Sequence, residues 1–176
     1  REENIDTEKN FFSLMNAVNA MAEKYDMPIL YSCHPRSQKF ITQRNFHFDK
    51  RVMQHEPFGF HDYNNLQMNA FAVVSDSGTL PEESSYYLSI GVPFPAVCIR
   101  TSTERPEALD KGIFILAGIE TQEVLQAVDT AVLMNQRQHF GLPVNDYADI
   151  NVSDKVIKLI QSYTGIVNRM VWRKDR

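Results

Sequence analysis

The stretch VVSDSGTLPEESS, Val73 to Ser85, runs from an apolar segment into a Ser-Gly-Thr turn and then a pair of carboxylates. If Ser77, Gly78 and Thr79 open a helix, their backbone amides face an incoming anion, and Gly78 lets it approach the main chain. Pro81 then falls near the first turn, where a missing N–H is no loss. Glu82 and Glu83, one turn later, cannot hold a phosphate but can accept the two hydroxyls of a ribose. A phosphate cradle followed by a diol acceptor is a nucleotide site. The same residues also fit a plain strand-to-helix connection with a solvated acidic first turn, which the helix dipole favours.

Two further segments bring reactive side chains to comparable positions. CHPRS sets His34 and Arg36 just after the apolar run PILYSC, and TSTERPEALDKG sets Arg105 after PAVCIR. Phe58, Phe60 and Tyr63, in EPFGFHDYNNL, are read as a loop before the strand that ends at Ser75, where an aromatic ring can stack on a base. SDSGTL also resembles the D-x-D-G-T-L nucleophile loop of haloacid-dehalogenase-type phosphatases. Ser75 and Ser77 stand where that chemistry needs aspartates, so the mechanism fails. His47, His55, His61 and His139 form no H-x-x-x-H or Cys/His pattern, and no metal site or cofactor is expected.

The elements that must position these residues alternate in period. Phe11, Leu14, Met15, Val18, Met21, Ala22 and Tyr25 recur at spacings of three and four, one face of a helix begun near Thr7 and stopped by Pro28. ILYSC, AFAVVS, PAVCI and GIFILAG read as short, continuously apolar strands. Helices are expected from Pro35 to about Gln43, over GTLPEESSYYLSI, and around Val124, Leu125, Val128, Ala131 and Val132 with Thr121 as N-cap. The stretch from Gln43 to Pro57 is polar and poorly patterned. Buried strands separated by helices define a doubly wound, parallel α/β sheet, and such sheets bind ligands beyond the carboxyl ends of their strands. His34, Ser77 and Arg105 all follow strands at that edge. A last helix, from Ser153 to about Val171, carries Val156, Ile157, Ile160, Tyr163, Val167 and Val171 on one side. It fits either a cover for its own sheet or a surface for a partner domain.

Composition narrows the classes. At 176 residues the chain holds one good domain. A net charge of -4 argues against nucleic acid as a partner. No apolar run approaches the roughly 18 residues of a membrane span, and no segment reads as a secretion signal. Cys33 and Cys98, the two cysteines, sit in strand-like runs and are read as buried reduced thiols in a cytoplasmic protein. The chain begins at Arg1 with no methionine, which suggests an excised domain or fragment.

REEN, HPR, SDSGTLPEES and TERPEA together resemble the non-hydrolysing UDP-N-acetylglucosamine 2-epimerases, over essentially the whole chain but only the C-terminal half of such an enzyme. SDSGT and EESS look most like the subgroup that forms UDP-N-acetyl-L-fucosamine for bacterial capsule or O-antigen. The resemblance implies a Rossmann-like domain, one half of a glycosyltransferase-B-type enzyme, with residues 1–152 as UDP-binding domain and 153–176 as a helix packing toward an N-terminal half. It implies that Ser77 and Gly78 bind the diphosphate and that Glu83 takes the ribose hydroxyls. Phe58 would meet the uracil through its main chain, Tyr63 would be the stacking aromatic, and His34 and Arg105 would face the sugar and phosphate. The family's histidine just before the position of Arg1, and the carboxylates that move the C2 proton, lie outside this sequence. The chemistry implied is elimination of UDP and its re-addition with inverted C2, converting UDP-N-acetyl-L-talosamine to UDP-N-acetyl-L-fucosamine or UDP-GlcNAc to UDP-ManNAc. The fragment alone would be inactive, and a homodimer is a possible partner state. The alternatives are the nucleotide-sugar domain of a glycosyltransferase of the same architecture, or a non-catalytic nucleotide-binding module. YYLSIGVPFP looks longer here than in the glucosamine epimerases.

Overall fold

The computed structural model describes residues 5–174, and the REEN motif at 1–4 lies outside the described residues. The chain divides into two compact units, Arg1–Val144 and Asn145–Arg176. In the first, helix α1 (Glu8–Tyr25) begins where the Thr7 side chain accepts from the Asn10 N–H. It ends at Asp26 in left-handed conformation, two residues before Pro28. Strand β1 (Ile29–Ser32) follows, then α2 (Pro35–Gln43), β2 (Val52–His55), α3 (Phe60–Met68), β3 (Val73–Ser75) and α4 (Leu80–Ser89). Strand β4 (Ala96–Cys98), the short α5 (Pro106–Asp110), β5 (Ile115–Leu116) and α6 (Thr121–Gln136) complete the unit.

All strand pairings are parallel. β1 pairs with β2, and β3, β4 and β5 form a second ladder in that order. One hydrophobic cluster underlies both ladders, joining Val52 of β2 and Val97 of β4 to Ala17, Val18, Met21 and Ala22 of α1 and to Val124, Val128, Ala131 and Val132 of α6. These are the helical faces that the spacing of apolar residues marks out. A second cluster gathers Phe11, Leu14, Met15, Cys33 and Ile41. Cys33 and Cys98 are both free and buried, and burial pushes the Cys98 thiol up to about 11.

Three local readings need correction. The polar stretch before Pro57 contains β2, whose burial alternates with nothing: only Val52 is buried. Pairing supplies what apolar pattern does not, with four residues in register against β1 and added bonds from Ile29 N–H to Arg51 O (2.9 Å) and Cys33 N–H to His55 O (2.8 Å). EPFGFHDYNNL is a loop only to Gly59, because Phe60 and Tyr63 belong to α3, a helix with Gln67 as its single buried residue. Thr121 does not cap α6. Glu120 holds the extended cap conformation, and the Thr121 hydroxyl donates instead to Ser13 O at 3.1 Å, tying α6 to α1.

The end of the first unit is fixed by one hydroxyl. Ser85 of α4 is wholly buried; its Oγ accepts from the Val144 N–H at 2.7 Å and donates to Val144 O at 3.2 Å. Ser85→Ala strips both buried backbone groups of their partner, and the expected cost is about 2 kcal/mol. Urea unfolding measures it, and a loss under about 0.5 kcal/mol would contradict the assignment.

The second unit holds the short α7 (Asn145–Ala148) and the long α8 (Val152–Met170). No residue of α8 is buried, and Val156, Ile157, Ile160 and Tyr163 are all exposed.

Candidate functional site

β3, β4 and β5 place Ser75, Cys98 and Leu116 level with one another at their carboxyl ends. Asp76, the next residue, lies amid side chains from three other elements. Burial is the main reason that the Tyr31, Tyr63 and Cys98 side chains hold their protons, and the Asp76 carboxylate adds a further push to each. The ends of β1, β3 and β4 and the face of α3 therefore converge around this turn.

The turn itself is folded on its own hydroxyls. The Ser77 N–H donates to Ser75 Oγ at 3.0 Å and the Thr79 N–H to Ser77 Oγ at 3.2 Å. Ser77 and Thr79 hydroxyls are 2.9 Å apart. The sequence suggests amides of Ser77, Gly78 and Thr79 aimed together out of the helix; two of those three are engaged within the turn. Such short-range bonds are the usual local alternative for Ser and Thr, and rotating two hydroxyls releases the amides to an anion. Thr79 is the N-cap of α4 but caps nothing with its side chain. Its hydroxyl donates to Glu83 Oε1 at 2.8 Å.

Glu83 is held on its other side too. Gln67 Nε2, from α3, donates to Glu83 Oε2 at 2.8 Å. The Tyr63 phenol, one turn earlier on α3, is pushed up to about 12 by burial and then by the Glu83 charge. Tyr87 is raised by the same two causes, and its hydroxyl donates to Asn64 Oδ1. Glu82 faces the other neighbour: its Oε1 accepts from Arg105 Nε at 2.9 Å, with both side chains partly exposed. Glu82 Oε2 is buried and unbonded. The Arg105 N–H is fixed by Thr103 Oγ1 at 3.1 Å. Behind it, buried Arg100 donates to Glu104 at 2.8 Å.

Thus Ser77, Thr79, Glu83 and Gln67 form one hydrogen-bonded chain across α3 and α4, with Tyr63 beside it and Gly78 within its turn, while Arg105 pairs separately with Glu82. His34 and Phe58 lie at the ends of β1 and β2. His34 caps α2, its Nδ1 accepting from the Arg36 N–H at 3.3 Å. Phe58 stacks on His55 with ring centroids 4.2 Å apart and planes 11° from parallel. Gln67 and the hydroxyl of Thr79, whose amide alone figures in the sequence reading, are the parts that sequence reading missed. Thr79 had a signal in its i, i+4 spacing to Glu83; Gln67 had none, since its bond depends on how α3 lies against α4. Among the described residues, no group of His, Cys, Asp and Glu side chains is arranged to hold a metal ion.

Parallel ladders with helices between their strands define a Rossmann-like α/β domain, and the solved structures it superposes on are of glycosyltransferase-B type. The sequence model of UDP-N-acetylglucosamine 2-epimerase matches residues 1–161, and the chain belongs to that family. The UDP-N-acetylglucosamine 2-epimerase of Methanococcus maripaludis is 31% identical over 153 residues, covering 83% of this chain and 39% of that protein. That of Methanocaldococcus jannaschii is 26% identical over 91% of this chain and 42% of its own length. The chain therefore spans less than half the length of these curated relatives, matching their C-terminal half. Among solved structures, the Rickettsia bellii UDP-N-acetylglucosamine 2-epimerase superposes with a TM-score of 0.81 at 35% identity, over 94% of this chain and 44% of the other. The Methanocaldococcus jannaschii enzyme in complex with UDP-GlcNAc and UDP superposes at 0.76 with 25% identity, over 92% and 43%.

Proposed function

We propose that this chain supplies the UDP-binding half of a UDP-N-acetylhexosamine 2-epimerase in bacterial surface polysaccharide synthesis. The observation that carries the reading is the Ser77–Thr79 turn tied to Glu83, with Arg105 alongside, in a chain whose Methanocaldococcus relative is described in complex with UDP-GlcNAc and UDP. The diphosphate lies at the turn, where Ser77 and Gly78 amides and the α4 dipole meet it. Glu83 accepts the ribose hydroxyls. Phe58 meets the uracil through its main chain, and Tyr63 lies against the nucleoside. His34, whose Nδ1 is occupied as an acceptor, offers its other ring nitrogen to the sugar-phosphate side.

Epimerisation at C2 needs a base to remove the C2 proton and stabilisation of the departing diphosphate. This half answers the second need through amides, hydroxyls and Arg105. The base belongs to the N-terminal half, against which α8 lays its exposed face. A cytoplasmic setting, where UDP-sugars are made and used, fits a chain in which no described helix is long and apolar enough to cross a membrane.

Calorimetric titration with UDP, uridine and CMP tests the reading. UDP is expected to bind most tightly, and Ser77→Ala and Glu83→Ala each to weaken it about tenfold, the worth of a hydrogen bond to a charged group. UDP binding equal in all three proteins would sink this site. Epimerase turnover is expected only once an N-terminal half is joined to the chain.

A further inference from the structure

We propose that Gln67 is a positioning residue that aims the Glu83 carboxylate at a ribose diol and so makes the site select ribonucleotides over 2′-deoxyribonucleotides. The inference rests on the nucleotide reading above and adds to it a residue from another helix and a selectivity.

A carboxylate on a free glutamate side chain accepts from whatever donor comes near. To demand two adjacent hydroxyls, its plane must be fixed. Glu83 is gripped at both oxygens, by Thr79 Oγ1 at Oε1 and by Gln67 Nε2 at Oε2, each at 2.8 Å. Each oxygen has a second lone pair, so the grip leaves two acceptor sites in one plane, spaced as a vicinal diol is. Thr79 sits in the same helical turn as Glu83 and moves with it. Gln67 reaches across from α3, so it alone sets the carboxylate plane against an outside frame.

Gln67 is also an unusual residue for its place. It is only 5% exposed and the single buried residue of α3. Its Oε1 is buried with no hydrogen-bond partner, which costs free energy that a leucine or methionine would not. An amide at this position is explained by what its Nε2 does. The low dielectric around it strengthens that bond, and the Gln67 side chain also lies within hydrogen-bonding reach of the Tyr63 phenol.

The test is titration of the full chain and its Gln67→Met variant with UDP, 2′-deoxy-UDP and CDP. Unmodified protein is expected to prefer UDP to 2′-deoxy-UDP about tenfold, because one bond to a charged acceptor is lost with the hydroxyl. In Gln67→Met that ratio is expected to fall below about threefold, while the preference for UDP over CDP stays unchanged. General loosening of the domain would move both ratios together. Thermal unfolding of the unliganded proteins checks the fold; should Gln67→Met fail to fold, Gln67→Asn, with its amide one methylene short of Glu83, is expected to give the same loss. A ribose preference intact in the folded variant overturns the inference and leaves the nucleotide reading standing. Failure of the unmodified chain to bind UDP overturns both.

Discussion

Phe11→Ala is expected to destabilise the first unit by about 3–5 kcal/mol, the range for emptying a buried phenylalanine site. The ring is completely buried. It meets Phe12 edge-on at 5.4 Å and Phe46 at 5.9 Å, pairs worth about 0.5–1.5 kcal/mol beyond area alone. Its face also carries the Arg44 guanidinium, whose centre lies 4.6 Å from the Phe11 ring and 4.6 Å from that of Phe40. From that slot Arg44 donates to Ile5 O at 2.8 Å and Asp6 O at 3.0 Å, fixing the entry of the chain into the domain. Removing the ring therefore opens a cavity and also loosens the guanidinium. Against a typical total of about 5–15 kcal/mol, the loss is severe, and Tm should fall by roughly 6–20 °C for a domain of this size. Phe12→Ala, at a partly exposed position beside it, is expected to cost less than half as much. Equal losses in the two variants, or a Phe11→Ala cost below about 1 kcal/mol, would refute this account of the core.

The parts of the fold that could be read in advance are those where burial leaves a pattern. α1 and α6 bury stripes at spacings of three and four, and β4 buries a run of Ala, Val and Cys. β2 and α3 show one buried residue each, Val52 and Gln67. Their existence is decided by backbone pairing and by the turn at Gly59, which no apolar period reports. The site divides along the same line. Ser77, Gly78 and Glu83 lie within seven residues of one strand-to-helix passage, so local reasoning reaches them. The grip on Glu83 spans 16 residues and the Glu82–Arg105 pair spans 23; both depend on tertiary placement. The internal bonds of the turn's amides are hidden from the sequence for a related reason. Serine hydroxyls compete for nearby N–H groups, and which bond wins depends on side-chain rotamers that sequence leaves open.

Arg105→Glu is expected to weaken UDP binding at least about a hundredfold, equivalent to about 2.7 kcal/mol. The site now sets the Arg105 guanidinium, whose Nε is taken by Glu82 at 2.9 Å, beside the two carboxylates of α4. One terminal nitrogen also donates to Glu104 O at 3.4 Å. A diphosphate arriving here thus meets a guanidinium already held in place, and the planar fork is a geometry in which arginine outperforms lysine. Reversal removes the fork and turns Glu82 from partner into neighbour of like charge. The incoming diphosphate then meets one carboxylate more and one guanidinium fewer. Because Arg105 and Glu82 are partly exposed, salt screens part of this repulsion, so the gap between the two proteins should narrow as ionic strength rises. Arg105→Lys, which keeps the charge and loses the fork, is expected to lie between them. Uridine supplies the decisive comparison: without phosphates it should bind both proteins within about twofold, since Arg105 acts on charge that uridine lacks. Equal losses for uridine and UDP would mean that the substitution collapses the loop that Arg105 anchors through Glu82 and Thr103. UDP affinity unchanged within about threefold would remove Arg105 from the phosphate side of the site altogether.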